Sequence, residues 1–194
     1  VLVVVSKKTK DKTEDISRSL GAKVIVDNGL GKGEGMRCAI DQIDDGVIVF
    51  IDADGSHTAK DIPKLVVPVI KKRADMVIAS RFLGGSEEFV GDLSKFLRVV
   101  FGMGIALVIN WRFKSSISDT QNGFRAISTK AAKALNLTSN HTEVETERCI
   151  KCLKKHYRIL DVPSRELKRE YGNSNIVIWK HGWQYIWTTI KNFF

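Results

Sequence analysis

A chain of 194 residues, 43% hydrophobic and 27% charged, is long enough to bury a sizeable core, which excludes a disordered, collagenous or small disulfide-scaffold protein. The formal net charge of +9 points to an anionic partner, whether a phosphorylated substrate, an acidic membrane surface or a nucleic acid, without choosing among them. Three cysteines, an odd number, fit a reducing, cytoplasmic setting better than a disulfide framework.

Short runs rich in Val and Ile alternate with stretches of helical period, the pattern of βα units around a largely parallel sheet. Val1 already stands inside the apolar run Val1-Leu2-Val3-Val4-Val5, consistent with a natural start or a preceding strand upstream of it. The composition predicts strands over 2–5, 23–26, 47–51, 76–79, 124–127 and 158–162, and helices over 13–20, 35–43, 61–72, 93–110, 129–135 and 142–155. No internal repeat and no linker-like stretch interrupts them, so one domain over 1–194 is expected. Gly84-Gly85-Ser86-Glu87-Glu88 is expected as a mobile loop, because adjacent glycines lose the most freedom on ordering. The longest apolar run, 99–109, is shorter than the roughly 20 residues of a spanning helix, so the chain is not expected to cross a membrane by itself.

Two segments carry chemistry. Val47-Ile48-Val49-Phe50-Ile51 is apolar on both faces, as a central parallel strand is, and runs into Asp52-Ala53-Asp54-Gly55-Ser56-His57. Ligands of open α/β sheets bind beyond the carboxyl ends of such strands. Alternation lets Asp52 and Asp54 point the same way, and two hard oxygen donors suit Mg²⁺ or Mn²⁺ bridging a diphosphate. Earlier, Asn28-Gly29-Leu30-Gly31-Lys32-Gly33-Glu34-Gly35 follows a strand and opens a helix, where backbone N–H groups and the Lys32 ammonium suit a phosphate. Cys149-Ile150-Lys151-Cys152 has metal-ligand spacing but lies in a helical pattern with no second pair to complete a zinc site. His57 and His141 are read as carrying no role.

Six blocks then occur in order: Gly31-Lys32-Gly33; Val49 to Gly55; Ala74 to Phe82; Asp119-Thr120-Gln121-Asn122-Gly123-Phe124-Arg125-Ala126; Glu143 to Glu147; and Arg158 to Pro163 followed by Arg169-Glu170-Tyr171-Gly172-Asn173-Ser174. Together they resemble family 2 glycosyltransferases of the dolichyl-phosphate mannose or glucose synthase type, over nearly the whole chain. That resemblance implies a GT-A fold, mostly parallel with helices on both faces, and inverting, metal-dependent transfer of a hexose from a nucleotide-diphospho-sugar to a polyprenyl phosphate. It further implies that Asp52 and Asp54, with Ser56, hold the metal and sugar diphosphate; that Lys32 and Gly33 lie near the nucleotide; that Ser80, Arg81, Arg125 and Arg169 line the acceptor phosphate or diphosphate; and that Asp119 lies close to the sugar. Ser174 joins the substrate-binding set, and Asp52, Asp54, Asp119, Arg81 and Arg169 the catalytic one. The family's first strand would precede Val1, and Ser6-Lys7-Lys8-Thr9 stands where the family usually has Asp-Asp-Gly-Ser. Asn175 stands where the family commonly has a lysine.

The residue types suit that chemistry. A lipid monophosphate with a second pKa of about 6 is already anionic and attacks without a dedicated base. A hydroxyl acceptor would instead need a base, for which Asp119, Glu143, Glu145 or Glu147 would serve. A non-catalytic nucleotide-sugar binder is a further alternative, raised by Ser6-Lys7. No recognition motif supports a nucleic-acid partner.

From residue 176 onward, Trp179, Trp183, Ile186, Trp187, Ile190 and Phe194 recur at steps of three and four, an amphipathic helix that fits either the domain's own core or a membrane interface. Residues 96–111, flanked by Arg98 and Arg112, form a second candidate. Peripheral contact with an anionic membrane at its cytoplasmic face is expected.

Overall fold

The structure, a computed structural model, describes residues 1–89, 93–168 and 178–194. The elements follow the expected order, with boundaries shifted by a residue or two in most cases. They run β1 (Leu2–Ser6), α1 (Thr13–Ser19), β2 (Lys23–Asp27), α2 (Lys32–Asp41), β3 (Val47–Phe50), α3 (Ile62–Ile70), β4 (Met76–Ser80), α4 (Arg81–Gly84), α5 (Leu93–Phe113), β5 (Arg125–Ser128), α6 (Thr129–Ala134), α7 (Val144–Lys154), β6 (Ile159–Pro163) and α8 (Ile178–Phe193). Arg169 and Ser174 lie outside the described residues, as does the rest of the 169–177 segment.

Strands β1 and β2 pair in parallel, and a four-stranded sheet runs in the order β3-β5-β4-β6. Within it β3, β4 and β6 share one direction and β5 opposes them. The reversal of β5 matters for function. Its first residue, Arg125, is level with Phe50 near the end of β3 and with Ile78 in the second half of β4. The segment that leads into β5, residues 117–124, therefore lies at the carboxyl ends of β3 and β4, where ligands of such sheets bind.

The expectation that 47–51 forms a central strand is corrected here: β3 is an edge of the four-stranded sheet, and the fully buried central strand is β4. Ile48 is buried and the other residues of β3 are half-buried, each face being covered by a helix. Ile48 packs with Met36 and Ile40 of α2, while Val47 and Val49 pack toward α3. Alternation along β4 divides the core in two, with Met76 and Ile78 facing α2, α6 and α7 and Val77 and Ala79 facing Leu65 and Val69 of α3.

The 84–88 segment is anchored, contrary to the expected mobile loop. Glu87 N–H donates to the Glu166 carbonyl (2.9 Å) and Glu166 N–H to the Gly85 carbonyl (3.0 Å). Gly84 approaches Ser164 so closely that a Cβ would stand 2.4 Å from its backbone, and Gly85 adopts φ 92°. The two glycines serve this close approach and turn.

Helix α5 runs 21 residues, and 95–113 is long and apolar enough to cross a membrane by length and composition, beyond what the 11-residue apolar run implied. One stripe, Ile105 and Ile109, packs with Ile150 of α7 and Tyr185 of α8. Phe96, Val100, Met103, Leu107 and Trp111 of α5 are exposed. In α8 the usual arrangement is inverted: Tyr185, Thr188, Thr189 and Asn192 are buried, while Trp183, Ile186, Trp187 and Ile190 face outward, as does Phe194 just past its end. The amphipathic stripe read from the sequence is therefore not this helix's packing face.

Candidate active site

A cavity of about 250 Å³ opens at the carboxyl ends of β3 and β4. Asp52, Asp54, Ser56 and His57 reach it from the turn after β3, Arg81 from α4, Asp119 and Gln121 from the segment before β5, Glu145 from α7 and Glu166 from beyond β6. Val99, Phe101 and Gly102 of α5 and Gly182 and Tyr185 of α8 complete the wall.

Gly55, at φ 76°, turns the chain after Asp54, so Asp54 Oδ1 accepts from both the N–H (3.1 Å) and the hydroxyl (2.6 Å) of Ser56. Ser56 is buried and fixes Asp54 from below. Asp52, with its side chain 40% exposed, receives the Lys32 ammonium at 2.7 Å on Oδ1 and 3.1 Å on Oδ2.

Lys32 is the first residue of α2, which begins three residues earlier than its apolar periodicity implies because Gly31, at φ 127°, takes the cap position. Gly33 donates its N–H to the Asn140 carbonyl (2.7 Å), and a Cβ there would stand 2.2 Å from the Ser139 carbonyl oxygen. Arg37 closes the same contact through Ser139 and Asn140. Gly33 thus packs the helix start against the 139–140 loop, and Lys32 alone of the pair faces the cavity. At Gly123 a Cβ would fall 2.5 Å from the Lys32 ammonium and 2.8 Å from Asp52 Oδ2, so this glycine leaves the space they occupy.

Behind Lys32 stands a buried ionic group. Glu145 lies 3.3 Å from the Lys32 ammonium and 3.6 Å from Arg125 Nε, and is hydrogen-bonded to Arg148. Burial pushes the Glu145 carboxyl up, but Arg148, Lys32 and Arg125 outweigh it and hold the pKa below the ordinary value. Burial likewise pulls Lys32 down, and Glu145 and Asp52 outweigh it, leaving the ammonium more firmly protonated. Arg125 is completely buried, its guanidinium bonded to the Asn122 and Glu145 carbonyls and to Cys149 Sγ. The structure does not bring Arg125 to the cavity; it supports the wall from within the core. The same holds for Ser80, buried at the start of α4, where its hydroxyl meets Ser118 Oγ (2.7 Å) and accepts from Leu83 N–H (3.2 Å). Cys149 and Cys152 are both buried in α7.

Arg81 and Asp119 do meet. Nε donates to Oδ2 (2.7 Å) and Nη2 to Oδ1 (3.0 Å), while Asp119 also accepts from the N–H groups of Gln121 (3.1 Å) and Asn122 (3.0 Å). Burial raises the Asp119 pKa, but Arg81 outweighs it, so the carboxyl stays low. Arg81 also approaches Glu166 (3.6 Å) and lies over the Phe89 ring (5.4 Å). Burial lowers the His57 pKa, outweighing the nearby Glu166 and Asp52, and among the described residues its Nδ1 has no hydrogen-bond partner.

Sequence reading missed Glu166, Tyr185, Gln121 and Glu88 as wall residues, because each comes from an element whose place is set by tertiary packing. Among the described residues, six carboxylates and three cationic side chains (Lys32, Arg81, Arg98) line the cavity.

This sheet, with its reversed strand and its acidic turn after β3, is the GT-A architecture of nucleotide-sugar glycosyltransferases. Residues 1–135 match glycosyl transferase family 2, and the chain belongs to that family. It is 34% identical over 181 residues to the uncharacterized protein MJ1222 of Methanocaldococcus jannaschii, covering 89% of this chain and 72% of that one. It is 27% identical over 153 residues to a dolichyl-phosphate hexose transferase of Haloferax volcanii, covering 79% and 64%. Among solved structures, glucosyl-3-phosphoglycerate synthase of Mycobacterium tuberculosis, crystallised with Mn²⁺, UDP and phosphoglyceric acid, superimposes with a TM-score of 0.72 at 20% identity, covering 99% of this chain and 66% of that one. The likeness to the solved structure is one of fold, and these proteins are longer than this chain.

Proposed function

We propose that residues 1–194 act as one glycosyltransferase domain that transfers a hexose, with inversion, from a nucleotide-diphospho-sugar to a polyprenyl phosphate at the cytoplasmic face of an anionic membrane. The observation that carries this reading is the juxtaposition, in one cavity, of the Asp52–Asp54 turn with the Arg81–Asp119 pair, walled by two helices whose outer faces are apolar.

The residues fit a divalent cation. Asp52 and Asp54 present hard oxygen donors on one turn, which suits Mg²⁺ or Mn²⁺. Among the described residues no cluster of three His, Cys, Asp or Glu side chains is arranged to hold a metal alone, so diphosphate oxygens would complete the coordination. The carboxylates that outnumber the cations among the described lining residues would repel two phosphorylated substrates, and a bound Mg²⁺ or Mn²⁺ would offset that and stabilise the leaving diphosphate. The M. tuberculosis synthase, crystallised with Mn²⁺ and UDP, supports the same donor class.

The acceptor oxygen forms the new bond to the anomeric carbon as the bond to the diphosphate breaks. Asp119 and Glu145 line the cavity, but each is held ionised by guanidinium groups and is a weak base. Glu147 is fully buried and engaged with the 138–139 backbone and Lys151. An already anionic acceptor needs no base, which favours a phosphate. The name of the Haloferax relative points to the same acceptor class. Helices α5 and α8 support the lipid: they line the cavity and turn Leu107, Trp111, Trp183 and Trp187 outward, with Arg112 at the end of α5 suited to anionic headgroups.

A second reading has one observation in its favour. Burial lowers the His57 pKa, and among the described residues its Nδ1 has no hydrogen-bond partner, as suits a base for a hydroxyl acceptor. Incubation with a nucleotide sugar, Mn²⁺ and either polyprenyl phosphate or a soluble hydroxyl acceptor separates the two. Product on the lipid phosphate, retained in His57→Ala, is expected; product on the hydroxyl acceptor alone, lost in His57→Ala, would select the second.

A further inference from the structure

In the cavity floor a lysine stands against one of the two carboxylates that the proposed function assigns to a metal. The Lys32 ammonium is within 2.7 Å and 3.1 Å of the two Asp52 oxygens, spanning the carboxylate as a chelated cation would. It is also 3.3 Å from Glu145, which lies deeper, on α7, and is 1% exposed. Gly123 leaves room for the ammonium, and the start of α2 is fixed by the close approach of Gly33 to Ser139. The ammonium is therefore held between an outer acid and an inner one by a rigidly placed backbone.

A divalent cation and an ammonium cannot share one carboxylate at such distances without strong repulsion. We infer that Lys32 is the resident counter-cation of Asp52, that it gives up this carboxylate when metal and donor diphosphate bind, and that Glu145 is the positioning residue that retains it. This inference rests on the reading of Asp52 as a metal ligand. With Asp52 taken by metal, the Lys32 ammonium stays paired to Glu145 and turns its remaining donors to the diphosphate. Metal and nucleotide then bind cooperatively, because the first to arrive displaces the ammonium for both.

Mn²⁺ titrations, followed by calorimetry or by the electron paramagnetic resonance of the free ion, test this with and without UDP or GDP. In Lys32→Met the free protein should bind Mn²⁺ at least about fivefold more tightly than the wild type, in the usual range of coupling between sites, and the nucleoside diphosphate should raise Mn²⁺ affinity less. Lys32→Arg, which keeps the charge, should stay near wild type. Glu145→Gln should weaken Mn²⁺ binding, since the ammonium then leans wholly on Asp52. Equal or weaker Mn²⁺ binding in Lys32→Met, at an unchanged melting temperature, would overturn the inference, as would equal tightening in Lys32→Arg. Asp52→Asn separates the levels. Loss of Mn²⁺ binding there with no change in Lys32→Met sinks only the role of Lys32. Wild-type Mn²⁺ affinity in Asp52→Asn sinks the metal reading and the inference with it.

Discussion

Arg81 holds Asp119 through two parallel guanidinium–carboxylate bonds, 2.7 Å and 3.0 Å long, with the Asp119 side chain 2% exposed. This fork joins the start of α4 to the segment before β5. Removing one partner leaves a buried, uncompensated charge, so Arg81→Gln should destabilise the protein by about 3–5 kcal/mol in urea unfolding. Arg158→Gln is the contrast. Its Asp75 pair is 60% and 30% exposed at 3.6 Å and should cost at most about 1 kcal/mol. Similar losses in the two variants would contradict this account of the fork.

Glu147 gives the protein an acid limb. Burial raises its pKa, but Lys151 (2.6 Å), the N–H groups of Ser139 (2.8 Å) and Thr138 (2.9 Å) and the Thr138 hydroxyl outweigh it, and the folded value lies below 4.5. A carboxyl lowered on folding stabilises fully above its unfolded pKa and loses that contribution as pH falls through the folded one. Glu147→Gln should cost about 1–3 kcal/mol at neutral pH and flatten the fall in stability below pH 4.5. An unchanged acid limb in the variant would count against this assignment.

Much of the site is legible in the sequence because it hangs on local patterns. The β3 run ends in Asp52-Ala53-Asp54, and the glycine-rich stretch opens α2, so Lys32, Asp52, Asp54 and Ser56 stand where the spacing implies. Arg125 and Ser80 belong to two further blocks, 119–126 and 74–82, yet they face inward. A one-residue step along an extended segment reverses the face, and sequence order does not say which face a neighbouring helix covers. The β5 reversal is equally invisible to periodicity, since an antiparallel strand buried on both faces reads like a parallel one. Tertiary closure also placed Glu145 and Glu166, 113 and 134 residues along from Lys32, against the same cavity.

Glycine positions divide sharply. Gly33→Ala would force a Cβ to 2.2 Å from the Ser139 carbonyl oxygen, a backbone atom that cannot yield cheaply. It should lower stability by about 1–3 kcal/mol and disturb Lys32 with it. Gly104→Ala in α5 meets nothing within 4 Å and should be stabilising by about 0.5–1 kcal/mol from helix propensity alone. Thermal melts of the two variants check the pair, and opposite signs are expected.

The exposed helix faces predict membrane behaviour apart from folding. Leu107 and Trp111 are 70% and 79% exposed, so Leu107→Asp with Trp111→Asp should leave stability within about 1 kcal/mol. The same change should cut co-sedimentation with anionic liposomes at low salt by about tenfold or more, because apolar insertion and anionic attraction are both weakened. Wild-type protein that stays in the supernatant while retaining full activity on a lipid acceptor would refute peripheral contact.

The most direct test of the account is the rate of nucleotide-sugar consumption with polyprenyl phosphate and Mn²⁺ in wild-type protein and in Asp54→Ala. Asp54 is anchored by Ser56 on the turn after β3 and is the second of the two proposed metal ligands. Metal-dependent turnover in the wild type and a fall of at least about a hundredfold in the variant, at similar stability, are expected from the loss of electrostatic stabilisation of the leaving diphosphate. An unchanged rate in Asp54→Ala would contradict the central claim.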